Sequence, residues 1–429
     1  MRFLQKKSKI TKIKDKIKKL KKELKKEKRK HKKDKSINEI DKKLVRKQIL
    51  IVIFNELVGA IICLLILFIL AGGKNYFRLY KELSKLIDTY DAITEDYYGD
   101  IDKEKIVNDA ISAMVSDIDD VFTNYSDEKT TEEFMENVTG IYEGIGASVA
   151  TDKEGVTKVI EVFEKSPAEK AGLKKDDIII KVDGKDYKGK TSTDVANYIK
   201  NTDKKEIELT IERDDKQKVI TIERKKVEMP TITSKVIEKD DILVGYIDIS
   251  TFTSVTTDQF KSHLKKLEKK NISGLIIDVR GNSGGYLSTV TDISSIFLKK
   301  GQTIYQLSDK SGTTKIKDKT SEKRTYPVAV LINKSSASAS EILASTIKES
   351  YNGYVVGTNS YGKGTVQKAK TLSDGSMVKY TIQKWLTPKG NWINEKGVTP
   401  TDKVELDITK EGDNQLDEAV KIITKDLEK

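Results

Sequence analysis

From Leu50 to Leu70 the chain reads LIVIFNELVGAIICLLILFIL, 21 residues that are almost all apolar. A run of that length spans a bilayer as one helix and exceeds the apolar part of an ordinary signal peptide, so the segments on either side have to fold apart from each other. Charge divides the chain at the same place. Residues 1–49 hold 23 Lys or Arg against 6 Asp or Glu, and the remainder holds 56 against 61. The net charge of +12 therefore belongs to the leading segment. Basic residues flank membrane spans on the cytosolic side, which predicts a cytosolic residue 1–49 segment and an extracytoplasmic chain after about Ala71. Asn55 and Glu56 interrupt the run in its cytosolic third, where Glu56 either snorkels or is protonated, or else helps pair helices. Ala71, Gly72 and Gly73 leave room for cleavage after export, but the long basic lead-in favours a retained single-pass anchor in the cell membrane.

The basic segment, KKSKITKIKDKIKKLKKELKKEKRKHKKDK, is low in complexity and dominated by lysine. It reads as solvated, partly helical or disordered chain, with anionic lipid headgroups or nucleic acid as sharper alternatives. No aromatic residue beyond Phe3 interleaves its lysines, and no nucleic-acid partner is expected. After the apolar run, Tyr80-Lys-Glu-Leu-Ser-Lys-Leu-Ile and Ile106-Val-Asn-Asp-Ala-Ile-Ser-Ala-Met-Val show helical periodicity, which predicts packed helices up to about Gly140.

Histidine and cysteine restrict the chemistry. His31 lies in the basic segment, His263 in a charged, helix-like stretch, and Cys63, the one cysteine, in the apolar run. A Ser-His-Asp triad, a Cys-His pair and a Cys/His zinc site are all poorly supported, no metal or other cofactor is implied, and the exported part can form no internal disulfide. A hydrolase built from this chain needs a different base. Lysine can serve if burial brings its pKa down from about 10.4 toward neutrality.

One stretch supplies such a pair. Val328-Ala-Val-Leu-Ile-Asn reads as a buried strand, and the serines after it lead into Glu341-Ile-Leu-Ala-Ser-Thr-Ile, whose apolar residues recur at helical spacing. Ser338 thus falls at a helix start, among unpaired N–H groups and a positive dipole end. A second strand, Tyr354-Val-Val-Gly357, leads to Lys363-Gly-Thr-Val-Gln367, where an extended backbone would put Lys363, Thr365 and Gln367 on one face. Val355, Val356 and Val366 are the expected apolar surroundings of the amine.

SASASEI followed by GKGTVQ, with Ser338 and Lys363 25 residues apart, resembles the active-site region of the carboxyl-terminal processing proteases, serine peptidases of the tail-specific type. The resemblance implies Ser338 as nucleophile, Lys363 as general base and Gln367 as the residue that orients the lysine. It extends to Gly144-Ile-Gly-Ala-Ser-Val and Ser166-Pro-Ala-Glu-Lys-Ala-Gly-Leu-Lys-Lys-Asp-Asp-Ile, which match the family's PDZ domain. There Gly144, Ile145 and Gly146 would hold a peptide carboxylate while the peptide adds as a strand. Val182-Asp-Gly-Lys reads as a hairpin turn and Thr193 to Ile199 as the groove helix. Gly274-Leu-Ile-Ile-Asp-Val-Arg-Gly-Asn-Ser-Gly-Gly follows a strand and a helix in βαβ fashion. It implies an oxyanion hole made by Ala339 N–H with Gly284 or Gly285. Ile118-Asp-Asp-Val-Phe stands where the family has Leu-Asp-Asp-Pro-Tyr, and Lys200-Asn-Thr replaces an Arg-Gly turn.

The reading is an α+β, α/β multidomain protein with a crotonase-like protease core, an inserted PDZ domain, an N-terminal helical region and one transmembrane helix. Its expected divisions are a basic tail at 1–49, the span at 50–71, the helical region at 72–140, the PDZ domain at 141–228 and the core at 229–429. The expected function is a membrane-anchored serine endopeptidase that recognises accessible C-terminal tails of exported proteins, and the resemblance implies a homodimer through the helical region. An anchored PDZ scaffold with a silent core, and a crotonase-like acyl-CoA enzyme, are the alternatives.

Overall fold

The computed structural model describes residues 2–30, 35–70, 76–409 and 411–428. His31 and the Ala71-Gly-Gly segment lie outside the described residues. The chain divides into two compact units, Met1–Lys103 and Glu104–Lys429.

The first unit is helical: α1 (Arg2–Lys30), α2 (Lys35–Leu70) and α3 (Tyr76–Asp96). Among the described residues one helix is long and apolar enough to cross a membrane, over Lys42–Ile66 within α2. Among the described residues of this unit Leu50, Phe54 and Ile61 stand exposed.

The second unit opens with α4 (Lys103–Ser116), a short strand β1 (Asn124–Ser126) and α5 (Glu128–Thr139). Asp127 caps α5 by accepting from Thr130 N, and Gly140 in the left-handed region ends it. Next comes a small β domain: β2 (Ile141–Gly144), β3 (Ala147–Thr151), β4 (Thr157–Val162), α6 (Pro167–Lys170), β5 (Ile178–Val182), β6 (Lys185–Asp186), α7 (Ser192–Asn201), β7 (Glu206–Arg213), β8 (Lys216–Glu223) and β9 (Lys225–Glu228). Strands β2 and β9 pair antiparallel, so entry and exit lie side by side as in an inserted domain. Alternating apolar residues Ile207, Leu209 and Ile211 fill its core together with Val159, Val182 and Val195. Asp183 and Gly184, both with positive φ, make the β5–β6 turn that the sequence suggests.

The last part carries two sheets. Strands β10 (Ile232–Lys239), β11 (Ile242–Ile249), β12 (Gly274–Asp278), β15 (Val328–Ile332), β16 (Tyr354–Gly357) and β19 (Asp402–Lys403) line up in that order. From β11 onward the pairing is parallel. Central strands β12 and β15 are buried along their whole length, which is why both read as unbroken apolar runs. Helices α8 (Thr256–Glu268), α10 (Ala339–Thr346) and α11 (Asn414–Leu427) pack on this sheet, and α9 (Leu287–Ser295) packs against α8 and α10. The second sheet is antiparallel, built from β13 (Thr303–Asp309), β14 (Gly312–Lys317), β17 (Thr365–Thr371) and β18 (Met377–Leu386), and it takes in β1 from far upstream. Lys363 and Gly364 precede β17 rather than lying in it, because the Gly364 N–H turns aside to Asn394 Oδ1.

Candidate active site

Ser338 stands at the turn between β15 and α10, with φ 54° and ψ −111°. A side-chain-bearing residue rarely holds that backbone, which costs on the order of 1–3 kcal/mol and persists only where neighbours enforce it. The neighbours here are identifiable. Ser336 Oγ donates to Val279 O at 2.7 Å, and Ala337 N donates to Asn282 O at 3.0 Å, so the turn is sewn to the loop after β12. Asn282 is buried and ties that loop down again through Nδ2 to Ile249 O at 2.7 Å.

Glu341 lies one turn into α10 and is fully buried. Its Oε2 accepts from Ser338 N at 2.7 Å and from Lys363 N at 2.9 Å. Its Oε1 accepts from Ser360 Oγ and from Gly362 N, each at 2.6 Å. A carboxylate offers about four acceptor sites, and all four are filled here. Sequence reasoning treats this residue only as part of a motif, since a Glu three places after a helix-start serine is an ordinary capping arrangement. Here the cap also fixes the segment that carries Lys363. That segment is held on its other side as well, because Trp385 Nε1 donates to Lys363 O at 2.7 Å.

The glycine turn lies against the serine. A Cβ on Gly284 would approach Ala337 O and Ser338 Cβ at 2.9 Å, and one on Gly285 would come within 2.1 Å of Phe252 O. Both have positive φ, 108° and 145°. Only glycine allows this approach. Of the two suggested oxyanion donors, Gly284 already has an acceptor for its N–H, Asn282 Oδ1 at 2.8 Å. Among the described residues no acceptor engages Gly285 N–H, nor Ala339 N–H in the first turn of α10, where a helix leaves N–H groups unpaired.

Lys363 is half-buried, and its amine makes no hydrogen bond among the described residues; it lies 4.5 Å from the centre of the Phe122 ring. Burial lowers its pKa from the ordinary lysine value, with help from the positive charge of Lys379, while Glu341 and Asp120 pull the other way. Burial works to raise the Asp120 carboxyl, but the Thr123 and Thr381 hydroxyls, the Phe122 N–H and the Lys363 charge together hold it below the usual carboxylate range. An aromatic ring and a balance of charges thus surround the amine, where the sequence suggests valines. Val355 and Val356 are instead buried in the two cores that flank the parallel sheet.

Gln367 does not bond Lys363. Its Nε2 donates to Thr365 Oγ1 at 2.9 Å and Thr381 Oγ1 at 3.1 Å. A register shift between Val366 and Gln367 in the β17–β18 pairing re-aims the side chain relative to a regular strand. The Thr381 hydroxyl also bonds Asp120, and Thr381 N donates to Thr123 Oγ1 at 3.2 Å, so Gln367 reaches the lysine's surroundings indirectly. No hydrogen bond joins the Ser338 hydroxyl to the Lys363 amine. Such contacts are often long in ligand-free sites and tighten with substrate.

In the β domain, Gly144 ends β2, while Ile145 and Gly146 form the loop before β3. The carbonyls of Ile145 and Gly146 accept from Ala168 N at 2.8 Å and Phe163 N at 3.0 Å, which orients the loop, and among the described residues its Ile145 and Gly146 N–H groups have no acceptor. Strand β3 is an edge, paired only to β4, with α7 alongside. An open edge beside a helix is the geometry that accepts a peptide as an added strand. Lys200, near the end of α7, pairs with Glu136 of α5 at 2.7 Å.

The family model for peptidase family S41 matches residues 243–404, a PDZ domain model matches 144–223, and one for the activating protease CtpB N-terminal domain matches 71–130. The chain is 40% identical over 346 residues to the carboxy-terminal processing protease CtpB of Bacillus subtilis (strain 168), covering 80% of this chain and 72% of that one. To CtpA of the same organism it is 36% identical over 337 residues, covering 78% and 72%. Among solved structures it is similar to a photosystem II D1 C-terminal processing protease, at 25% identity over 82% of this chain and 91% of that one, with a TM-score of 0.47.

Proposed function

The chain belongs to the carboxy-terminal processing proteases of peptidase family S41, and on that premise we propose that it cleaves exported proteins by a Ser-Lys acyl-enzyme mechanism while anchored by α2. Neutral Lys363 Nζ takes the proton from Ser338 Oγ as that oxygen attacks the scissile carbonyl carbon. Gly285 N–H and Ala339 N–H receive the resulting oxyanion. The C–N bond breaks, and the lysine returns its proton to the leaving amine. Water then attacks the acyl-serine with the same lysine as base, releasing the new carboxylate and restoring Ser338. Gln367 acts through Thr365 and Thr381, steadying the lysine's surroundings.

The observation that carries this reading is the single Glu341 oxygen that fixes both backbone N–H groups, of Ser338 and of Lys363. A silent scaffold has no use for a nucleophile and a base gripped by one buried carboxylate. The Ile145–Gly146 loop and the β3 edge would recognise a free C-terminus, and the tail-side charge would keep residues 1–49 cytosolic with the PDZ domain and protease core outside. Exposed Leu83, Leu86 and Ile87 along one side of α3 support a homodimer through the helical region.

The test uses the full chain in detergent with a denatured protein whose C-terminus is free or amidated. Cleavage that needs Ser338 and falls on amidation is the expected result. Cleavage unaffected by Ser338→Ala would remove the mechanism, and equal cleavage of both substrates would remove carboxylate recognition.

A further inference from the structure

Between residues 10 and 24 the sequence holds five apolar residues, Ile10, Ile13, Ile17, Leu20 and Leu24, and ten polar or charged ones. The whole segment lies within the single helix α1. At about 100° per residue the five apolar positions fall within an arc of about 80°, and none of the other ten does. Ile17 and Leu20 are 49% and 56% exposed, so the stripe there is uncovered among the described residues. Arg2–Lys30 carries 16 Lys or Arg against 3 Asp or Glu.

We propose that α1 lies in the interface of an anionic membrane, with this stripe among the acyl chains and its lysines on the headgroups. The proposal rests on the reading that α2 spans a bilayer. A narrow apolar stripe spaced by threes and fours could also form a coiled coil with a second copy. The residues flanking it, Lys14, Lys16 and Lys21, would then face their own counterparts across the seam, where a stable pair needs opposite charges. A surface of acidic lipid supplies those charges and the apolar medium at once. Nucleic acid supplies only the charge and would leave the stripe in water. Helix α1 ends at Lys30, α2 begins at Lys35 and its span at Lys42, so α1 is tethered within about a dozen residues of the span whichever leaflet it meets.

The experiment uses the full chain with Cys63→Ser, carrying a polarity-sensitive dye on either Leu20→Cys, on the stripe, or Lys18→Cys, across the helix from it. Each protein is reconstituted in vesicles of phosphatidylcholine alone or mixed with phosphatidylglycerol. The proposal expects a blue shift at position 20 in the anionic vesicles only, reversed by high salt, and little change at position 18. Equal emission at both positions, no difference between the two lipids, or a shift at position 20 that needs added oligonucleotide would overturn it. Co-flotation of the protein with the neutral vesicles reports the span separately. A protein that fails to float contradicts the anchoring reading, whereas one that floats with an unshifted dye contradicts only the placement of α1.

Discussion

Ser338 and Lys363 are joined through one oxygen atom: Glu341 Oε2 accepts the backbone N–H of the first at 2.7 Å and of the second at 2.9 Å. The backbones of the proposed nucleophile and base are therefore tied together by a buried carboxylate rather than by either side chain. Strain at Ser338, whose φ is 54°, is maintained by the same contact.

Glu341→Gln should damage both catalysis and stability. An amide has one acceptor oxygen, and its NH2 would be set against two donors that a carboxylate oxygen accepts from. Turnover should fall by about 10²-fold through misplacement of the pair. Melting should show a loss of about 1–3 kcal/mol from unsatisfied buried donors. A variant with wild-type kcat and an unchanged melting curve would show that the shared oxygen matters to neither.

Charges around the amine give a pH prediction with a definite sign. Asp120 favours the protonated lysine, so Asp120→Asn should lower the lysine pKa and move the rising limb of the kcat profile to lower pH. Lys379 favours the neutral amine, and Lys379→Met should move the limb the opposite way. Profiles that stay in place for both variants, or that move together, would show that the limb does not report Lys363.

The oxyanion assignment separates two adjacent glycines. Gly285→Ala puts a methyl group where Phe252 O already sits, displacing the N–H proposed to meet the oxyanion, and should cost about 10²–10³ in kcat. Asn282→Ala should release the Gly284 N–H and loosen the turn, lowering kcat less than it lowers stability. Full activity in folded Gly285→Ala would leave the hole without its second donor.

A further network lies behind the turn. Arg280 bonds the buried Asp278 at 2.6 Å and Asp413 at 2.6 Å, which joins the end of β12 to the N-cap of α11. Arg280→Met leaves Asp278 buried without its partner and should destabilise the fold by about 3–5 kcal/mol. Burial tends to raise the Asp413 carboxyl, but Arg280 and two backbone N–H groups depress it, so its share of stability is present at neutral pH and is lost as pH falls through its folded-state value. Denaturant titrations at pH 7 and in acid check this: the gap between wild type and Arg280→Met should narrow in acid.

How much of this the sequence discloses depends on how local each feature is. Ser338 and the strand before it are legible because strand, turn and helix follow one another along the chain. So are the PDZ elements, each a short hairpin or helix with its own turn residues, such as Asp183 and Gly184. The surroundings of Lys363 are not legible, since Phe122 and Asp120 reach it only because β1 joins β18, and Thr123 meets Thr381 across 258 residues. Glu341 is hidden differently: its position suggests a surface cap, and nothing local says that Ser360 and Gly362 close over it. Which of Gly284 and Gly285 keeps a free N–H turns on one side-chain bond from Asn282, which a motif does not specify.

The most direct test of the Ser-Lys mechanism is the turnover of folded Lys363→Arg on a denatured protein substrate, measured across pH with circular dichroism on the same samples. Guanidinium stays charged throughout and cannot accept the serine proton. A Ser-Lys mechanism predicts loss of turnover at every pH, as complete as in Ser338→Ala and scarcely deeper in the double variant, because the two residues act as one unit. It predicts for the wild type a rise along one ionisation below the ordinary lysine value of about 10.4. A folded Lys363→Arg enzyme that keeps most of its turnover would contradict it.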